Sequence, residues 1–279
     1  MPIIADTHVH IYPEYDVALL LECACRNLDQ TARQNGLPSS GNMQRVLFLT
    51  ESSGCDWFAA AGQGRLPTGW TAKAAPLPLC LTLGHERSGL VHCVPGRQMA
   101  TKERLEILGL AMREVVPDGL SVHETLDKVQ QAGGVPVLPW ALGKWLFSRS
   151  RIVRDLVLSS PPDRFLIGDS AMRPSFSPWP SLMRLARTRG FGLVPGSDPL
   201  PLPGEERRAG GYALFSTTAF DPERPGAFLR GVAQDASARI LGPRLGLVSV
   251  LRKTLALRTD AKHRPFPSTP LNVKKNYDR

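Results

Sequence analysis

Short β-branched or leucine-rich runs alternate along this chain with longer segments whose apolar positions recur every three to four residues. That alternation predicts an α/β fold with a mainly parallel sheet. Strands are expected at Ile3–His8, Arg45–Thr50, Leu105–Leu110, Val135–Leu138, Arg164–Gly168 and Gly192–Val194, each followed by turn residues or a polar site. Helices are expected at Val17–Arg33, Cys55–Ala61, Val122–Ala132, Arg151–Leu158, Pro180–Arg189 and Pro225–Ala233. The third has the clearest ends, because Ser121 and Glu124 stand at capping-box spacing and Gly133-Gly134 supplies a stop. His123 then belongs to a first helical turn and not to a site.

Between Gly69 and Thr101 the periodicity changes: Leu79–Leu83 and Leu90–Val94 flank the turn-rich Gly84–Gly89. This reads as an antiparallel hairpin inserted at about 69–101, with a solvated His85 at its tip. Pro199–Gly211 is rich in Pro, Gly and charge and predicts a surface loop over the site, followed by an extended Tyr212–Ser216. Ala238–Arg258 carries the helical stripe Leu241, Leu245, Val248, Leu251 and Leu255, interleaved with Arg239, Arg244, Arg252, Lys253 and Arg258. A basic amphipathic helix over 237–258 follows, either docked on the body or lying against an anionic membrane surface or an acidic partner. Residues 259–279 lack periodicity and predict a disordered tail.

At 279 residues the chain suits one large domain, 1–236, with these C-terminal additions. The net charge of +9 is local: from Arg230 to Arg279 there are 11 Lys/Arg against 3 Asp/Glu, which leaves about +1 for the rest. That distribution argues against a nucleic-acid-binding body. The N-terminus lacks a signal-peptide pattern and no apolar run approaches spanning length, so a cytoplasmic address is expected, with peripheral membrane attachment through the basic helix as the alternative. Five cysteines without Cys-x-x-Cys spacing predict neither disulfides nor structural zinc.

The candidate chemistry begins at Asp6-Thr7-His8-Val9-His10, directly after the apolar Pro2–Ala5. Period-two geometry puts His8 and His10 on one side of a strand at its C-terminal end, where they form a pincer for a metal ion; as ordinary polar caps they would do nothing. Asp169 follows the apolar Phe165–Gly168 and can equally ligate metal, take a proton, or cap a helix. Arg97, Lys144 and Arg173 are each expected just past a strand end and, if convergent, would clamp a phosphate or carboxylate. Gly62-Gln63-Gly64 is too short for a dinucleotide fingerprint, and Ser52-Ser53-Gly54 lacks the glycine two residues before the serine of a nucleophile elbow.

The order of these strand ends resembles the polymerase-and-histidinol-phosphatase (PHP) superfamily of metal-dependent hydrolases. Asp6-Thr7-His8-Val9-His10 matches its first motif. Where the family has Thr-Asp-His this chain has Thr50-Glu51-Ser52, and where it has a bridging Glu stands Gln98. The segment Glu103–Leu110 follows in place, Pro139-Trp140 replaces His-Pro, and Ser197-Asp198-Pro199-Leu200 keeps the Asp of the last motif without its His. The amidohydrolase barrels share the His-x-His and the final Asp. The resemblance implies a distorted TIM-like (β/α)7-8 barrel and one divalent ion (zinc, manganese or iron) held by His8, His10 and Asp198. It further implies Asp169 or Glu51 as the catalytic acid/base, and Arg97, Lys144 and Arg173 against a small anionic substrate. The expected function is metal-dependent phosphoester hydrolysis. The alternatives are a non-catalytic ligand-binding protein on the same frame and an amidohydrolase-like C–N hydrolase.

Overall fold

The computed structural model describes residues 1–263 apart from residues 38, 39, 142 and 146. Its first buried run forms strand β1 (Ile3–Val9), in which every residue is buried. Helix α1 (Val17–Gln34) follows, with the Asp16 carboxylate accepting from Leu19 N, and leads to β2 (Gln44–Leu49), parallel to β1. Along both strands neighbouring side chains go to opposite sides, as a pleated backbone requires. Ile3, Ala5, Val46 and Phe48 enter a core shared with Leu108, Val137 and Val194, whereas Ile4, Leu47 and Leu49 pack under Leu20, Leu21 and Leu28 of α1.

Helix α2 (Trp57–Gly62) precedes strands β3 (Trp70–Ala72), β4 (Leu81–His85) and β5 (Gly89–Val94). β4 and β5 pair antiparallel within the segment where a hairpin is expected, but β5 also pairs in parallel with β2. The segment is therefore built into the main sheet and is not an appendage. His85 does not project into solvent: its ring stacks on Trp70 at 5.3 Å, because β3 extends the hairpin to three strands.

After Val94-Pro95 the chain changes sheets. Strands β6 (Gly96–Ala100) and β7 (Glu106–Leu110), helix α3 (Val122–Gln131), β8 (Val135–Pro139), α4 (Ser148–Ser159), β9 (Leu166–Ser170), α5 (Ser181–Thr188) and β10 (Leu193–Gly196) make a second sheet with helices outside it. Gly96 sits at the crossing, where an added Cβ would lie 2.4 Å from Leu49 O and 2.7 Å from Gly109 O. Strand β11 (Ala213–Ser216), helix α6 (Pro225–Gly231), β12 (Arg239–Leu241) and helix α7 (Leu247–His263) return the chain to the first sheet.

The strands pair as two sheets around a shared core, and no strand pairing among the described residues closes them into the expected distorted TIM-like barrel. The first runs β12-β11-β1-β2-β5-β4-β3 and the second β10-β9-β8-β7-β6. Each strand has two edges, and those of β1 are taken by β2 and β11 and those of β2 by β1 and β5. β10 and β6 therefore meet the first sheet through isolated bonds: Asp198 N to His8 O at 2.9 Å, and the Glu51–Arg97 bridge. The sheets are mixed as well, since β1/β11, β6/β7 and β7/β8 are antiparallel.

The C-terminal region departs from the expected single helix. Ala238 precedes strand β12, paired to β11, and Gly242 (φ +100°) with Pro243 breaks the chain before α7 begins at Leu247. Starting later turns a different face inward. Val250 is buried and Lys253 reaches Glu205, while Val248, Leu251 and Leu255 of the predicted stripe are exposed. Residues 259–263 continue α7, and the rest of the tail lies outside the described residues. No helix among the described residues is long and apolar enough to cross a membrane.

Candidate metal centre

A break in β1 aims the two histidines. The register against β2 shifts between Asp6 and Val9, and Val9 packs with Ile4 on the α1 side instead of with Ile3 and Ala5. Such a shift turns the following residues over, so His8 and His10 point to the opposite face from Val9. On that face the β10 positions Val194, Gly196 and Asp198 alternate inward, and Asp198, at φ +51°, is held by its N–H donating to His8 O.

His8 Nε2 and His10 Nε2 lie 3.0 Å apart, and Asp198 Oδ1 is 3.4 Å from the first and 3.6 Å from the second. The three ligand atoms fall within 4.8 Å of one another. Donors each about 2.0–2.2 Å from one divalent cation stand about 3–3.5 Å apart, so the donor set fits such an ion in both chemistry and spacing. Burial, followed by the charge of His8, pulls the His10 imidazole down to about 3, against an opposing pull from Asp198 and Thr50. His10 is thus neutral, with a lone pair to give. Burial pushes the Asp198 carboxyl up, but His8, His10 and the Ser170 hydroxyl together hold it below its ordinary range.

The supporting residues come from three strand ends. Ser170 Oγ donates to Asp198 Oδ2 at 3.0 Å, and Thr50 Oγ1 lies 3.4 Å from His10 Nδ1. Asp6 accepts from His8 N, Ser197 N, Ser197 Oγ and Gly210 N at 2.5–3.2 Å, fastening the Asp198 loop to β1. Burial raises the Asp6 carboxyl to about 6 against these hydrogen bonds. Arg208 is near enough for its charge to act on both Asp198 and Asp6, although burial depresses its own guanidinium. Tyr12 stacks on His10 at 5.2 Å and lines a cavity of about 860 Å³ together with Tyr15, Cys55, Trp57 and Leu66.

The other expected site residues are elsewhere. Asp169 faces away from Ser170, and its carboxylate takes Arg173 Nε at 2.7 Å, Arg173 Nη2 at 2.6 Å and Tyr212 OH at 2.7 Å. Asp169 and Arg173 therefore neutralise each other, and neither joins the histidines. Glu51, one residue past Thr50, turns toward α2: it accepts from Phe58 N at 3.0 Å and lies 3.7 Å from Arg97. Arg97 in turn reaches Asp56 at 3.3 Å and Cys55 O at 2.6 Å, and Lys144 pairs with Glu106. The predicted three-cation clamp does not form, because each member has a carboxylate beside it. Trp140 and Trp145 pack in the core under the helices.

No family model matches this chain, and no curated protein matches it either. Among solved structures, PsfC from Pseudomonas syringae aligns at TM-score 0.51 and 15% identity, covering 94% of this chain and 98% of that one. The shared property is the fold. The neighbours also include a two-domain protein from Bacteroides vulgatus containing a predicted PHP-like metal-dependent phosphoesterase, at TM-score 0.46 and 11% identity over 92% of this chain and 70% of that one. A lesion-specific endonuclease from Pyrococcus furiosus aligns at TM-score 0.45 and 11% identity, over 86% of this chain and 58% of that one.

Proposed function

We propose that this protein is a metal-dependent hydrolase acting on a phosphoester through one divalent ion held by His8, His10 and Asp198. The observation that carries the reading is the convergence of two imidazole nitrogens and one carboxylate oxygen, from distant parts of the sequence, at separations of 3.0–3.6 Å. When bound, a divalent cation supplies Lewis acidity and a water acidic enough to attack near neutral pH, and three protein donors leave room for both. His10 contributes a neutral donor and Asp198 a negative one. Thr50 and Ser170 hold their rings and oxygens in place, which keeps the donors aimed at a common point. Arg208 adds positive charge beside the triad, where an anionic ester would need it. The cavity beside Tyr12 suits an apolar or aromatic leaving group.

One observation favours the competing reading of a ligand-binding protein on the same frame. Asp169 and Glu51, the carboxylates expected to move a proton, are both engaged away from the triad. Turnover decides between them. Purified protein loaded with zinc, manganese or iron is assayed on a panel of phosphomonoesters, phosphodiesters, amides and lactones, with His10→Ala as control. The proposal requires phosphoester turnover that His10→Ala abolishes; retained metal with no turnover supports the binding protein, and turnover of amides or lactones supports C–N hydrolysis.

A further inference from the structure

A second cavity, of about 320 Å³, lies between the C-terminal half of α1, the short turn Glu205–Arg208 and the loop entering α7. Arg207, Arg208 and Arg244 line it together with Asn27, Gln30 and Gln34, and none of its lining residues is acidic. The charge balance there differs from that around the cations expected to form a clamp. Arg97, Lys144 and Arg173 each meet a carboxylate within reach, whereas among the described residues neither Arg207 nor Arg244 has one at ion-pair distance. Arg208 does reach Glu205, but that carboxylate is shared with Lys253. Arg208 also acts on Asp198 and Asp6, so the two guanidiniums left without a facing carboxylate among the described residues are those of Arg207 and Arg244.

The Arg244 guanidinium and the backbone of the arginine-bearing turn are also held in place. Arg244 is fixed by the carbonyls of Pro174, Ser175 and Ser177 at 2.8–3.2 Å, which orient its guanidinium without cancelling its charge. Asn27 Nδ2 donates to Arg207 O and Ala209 O at 2.9 and 2.8 Å, tying the arginine-bearing turn to α1. Folding has therefore already met the cost of gathering like charges. A planar guanidinium matches an oxyanion through paired N–H donors, and such charge-assisted bonds are the strong ones.

We propose that this cavity is a phosphate-binding site, separate from the His8–His10–Asp198 triad, that takes inorganic phosphate or the phosphate of a small organic ester. It borders the triad without sharing its ligands: Ser197, in its wall, is the neighbour of Asp198 and hydrogen-bonds Asp6. Occupancy here does not depend on a metal ion.

The test uses full-length protein stripped with a chelator and titrated calorimetrically, at low ionic strength, with inorganic phosphate and in a parallel arm with glycerol 3-phosphate. Saturable binding is expected. Arg207→Glu and Gln30→Glu, both at exposed positions, should each weaken it by about tenfold or more, the loss expected for a charged hydrogen bond, with circular dichroism unchanged. His10→Ala should leave it intact. Comparable binding of the ester assigns the site to a phosphorylated metabolite, and selective binding of inorganic phosphate assigns it to the free ion. Absence of saturable binding, indifference to both substitutions, or loss of binding in His10→Ala overturns the proposal. Metal content of Arg207→Glu, measured alongside, reports on the triad independently.

Discussion

Arg173→Met tests whether Asp169 and Arg173 are framework or chemistry. The Asp169 side chain is fully buried and that of Arg173 is 2% exposed; two bonds of 2.6–2.7 Å join them, and Tyr212 OH adds a third to the carboxylate. Arg173 also donates to Ser177 O at 2.8 Å, bracing the segment after β9. Methionine removes the guanidinium bonded to the buried Asp169 carboxylate and leaves the Tyr212 hydroxyl beside it. Breaking one side of a buried pair costs about 3–5 kcal/mol, because the surviving charge stays desolvated. For a domain of this size that corresponds to a fall in melting temperature of about 10 °C. Asp169→Asn combined with Arg173→Met should recover part of the loss, since the stranded charge is gone. Differential scanning calorimetry measures the stability, and elemental analysis of the folded fraction measures the metal. A single variant melting within about 2 °C of the parent, or one that keeps its stability but loses its metal, refutes the structural assignment.

Gly196→Ala should damage the triad without touching a ligand, because a Cβ there would lie 2.1 Å from His8 Cβ and 2.7 Å from His8 N. Metal retention should fall by at least about tenfold, as for the loss of a supporting contact, and unchanged metal content refutes the packing argument. Burial raises the Glu51 carboxyl from its ordinary 4.5 to about 7 despite Phe58 N and Arg97. A carboxyl raised on folding contributes stability that is fully present below its unfolded value and is lost as pH rises through its folded value. Stability should therefore drop between about pH 5 and pH 8, by roughly 3 kcal/mol from this group, and Glu51→Gln should flatten that part of a denaturation-against-pH series. A slope identical in the variant counts against it.

The strand and helix positions were readable because their burial is periodic: Ile3–Val9, Gln44–Leu49 and the capped Val122–Gln131 all stand within a residue or so of where their patterns put them. Which strand edges pair is not written in that pattern. The same β-branched run can accept a parallel or an antiparallel neighbour, so the capture of β1 by β11 and of β2 by β5, which divides the sheet in two, could not be read from either strand alone. The metal-ligand candidates were legible for a local reason in His8 and His10, and through motif order in Asp198. The clamp was not, because being just past a strand end does not say which way a long side chain turns. Glu51 and Asp169 each follow the inward position by one residue, or precede it, and period two alone sends them to the far side. Asp6 lay in the motif all along, but its four partners come from residues about 190–200 positions away, or from His8, and no local signal identifies them. The C-terminal stripe predicts one helix from Ala238, whereas Gly242 and Pro243 divide that segment into β12 and α7.

The proposed hydrolysis requires His8, His10 and Asp198 to share one cation. Elemental analysis of protein purified without added chelator, run beside His8→Ala, His10→Ala and Asp198→Ala, tests it directly. The parent should carry about one divalent ion per chain and each variant should lose most of it, with folding preserved. A metal-free parent after incubation with zinc, manganese and iron, or variants that hold the ion as tightly as the parent, would contradict it.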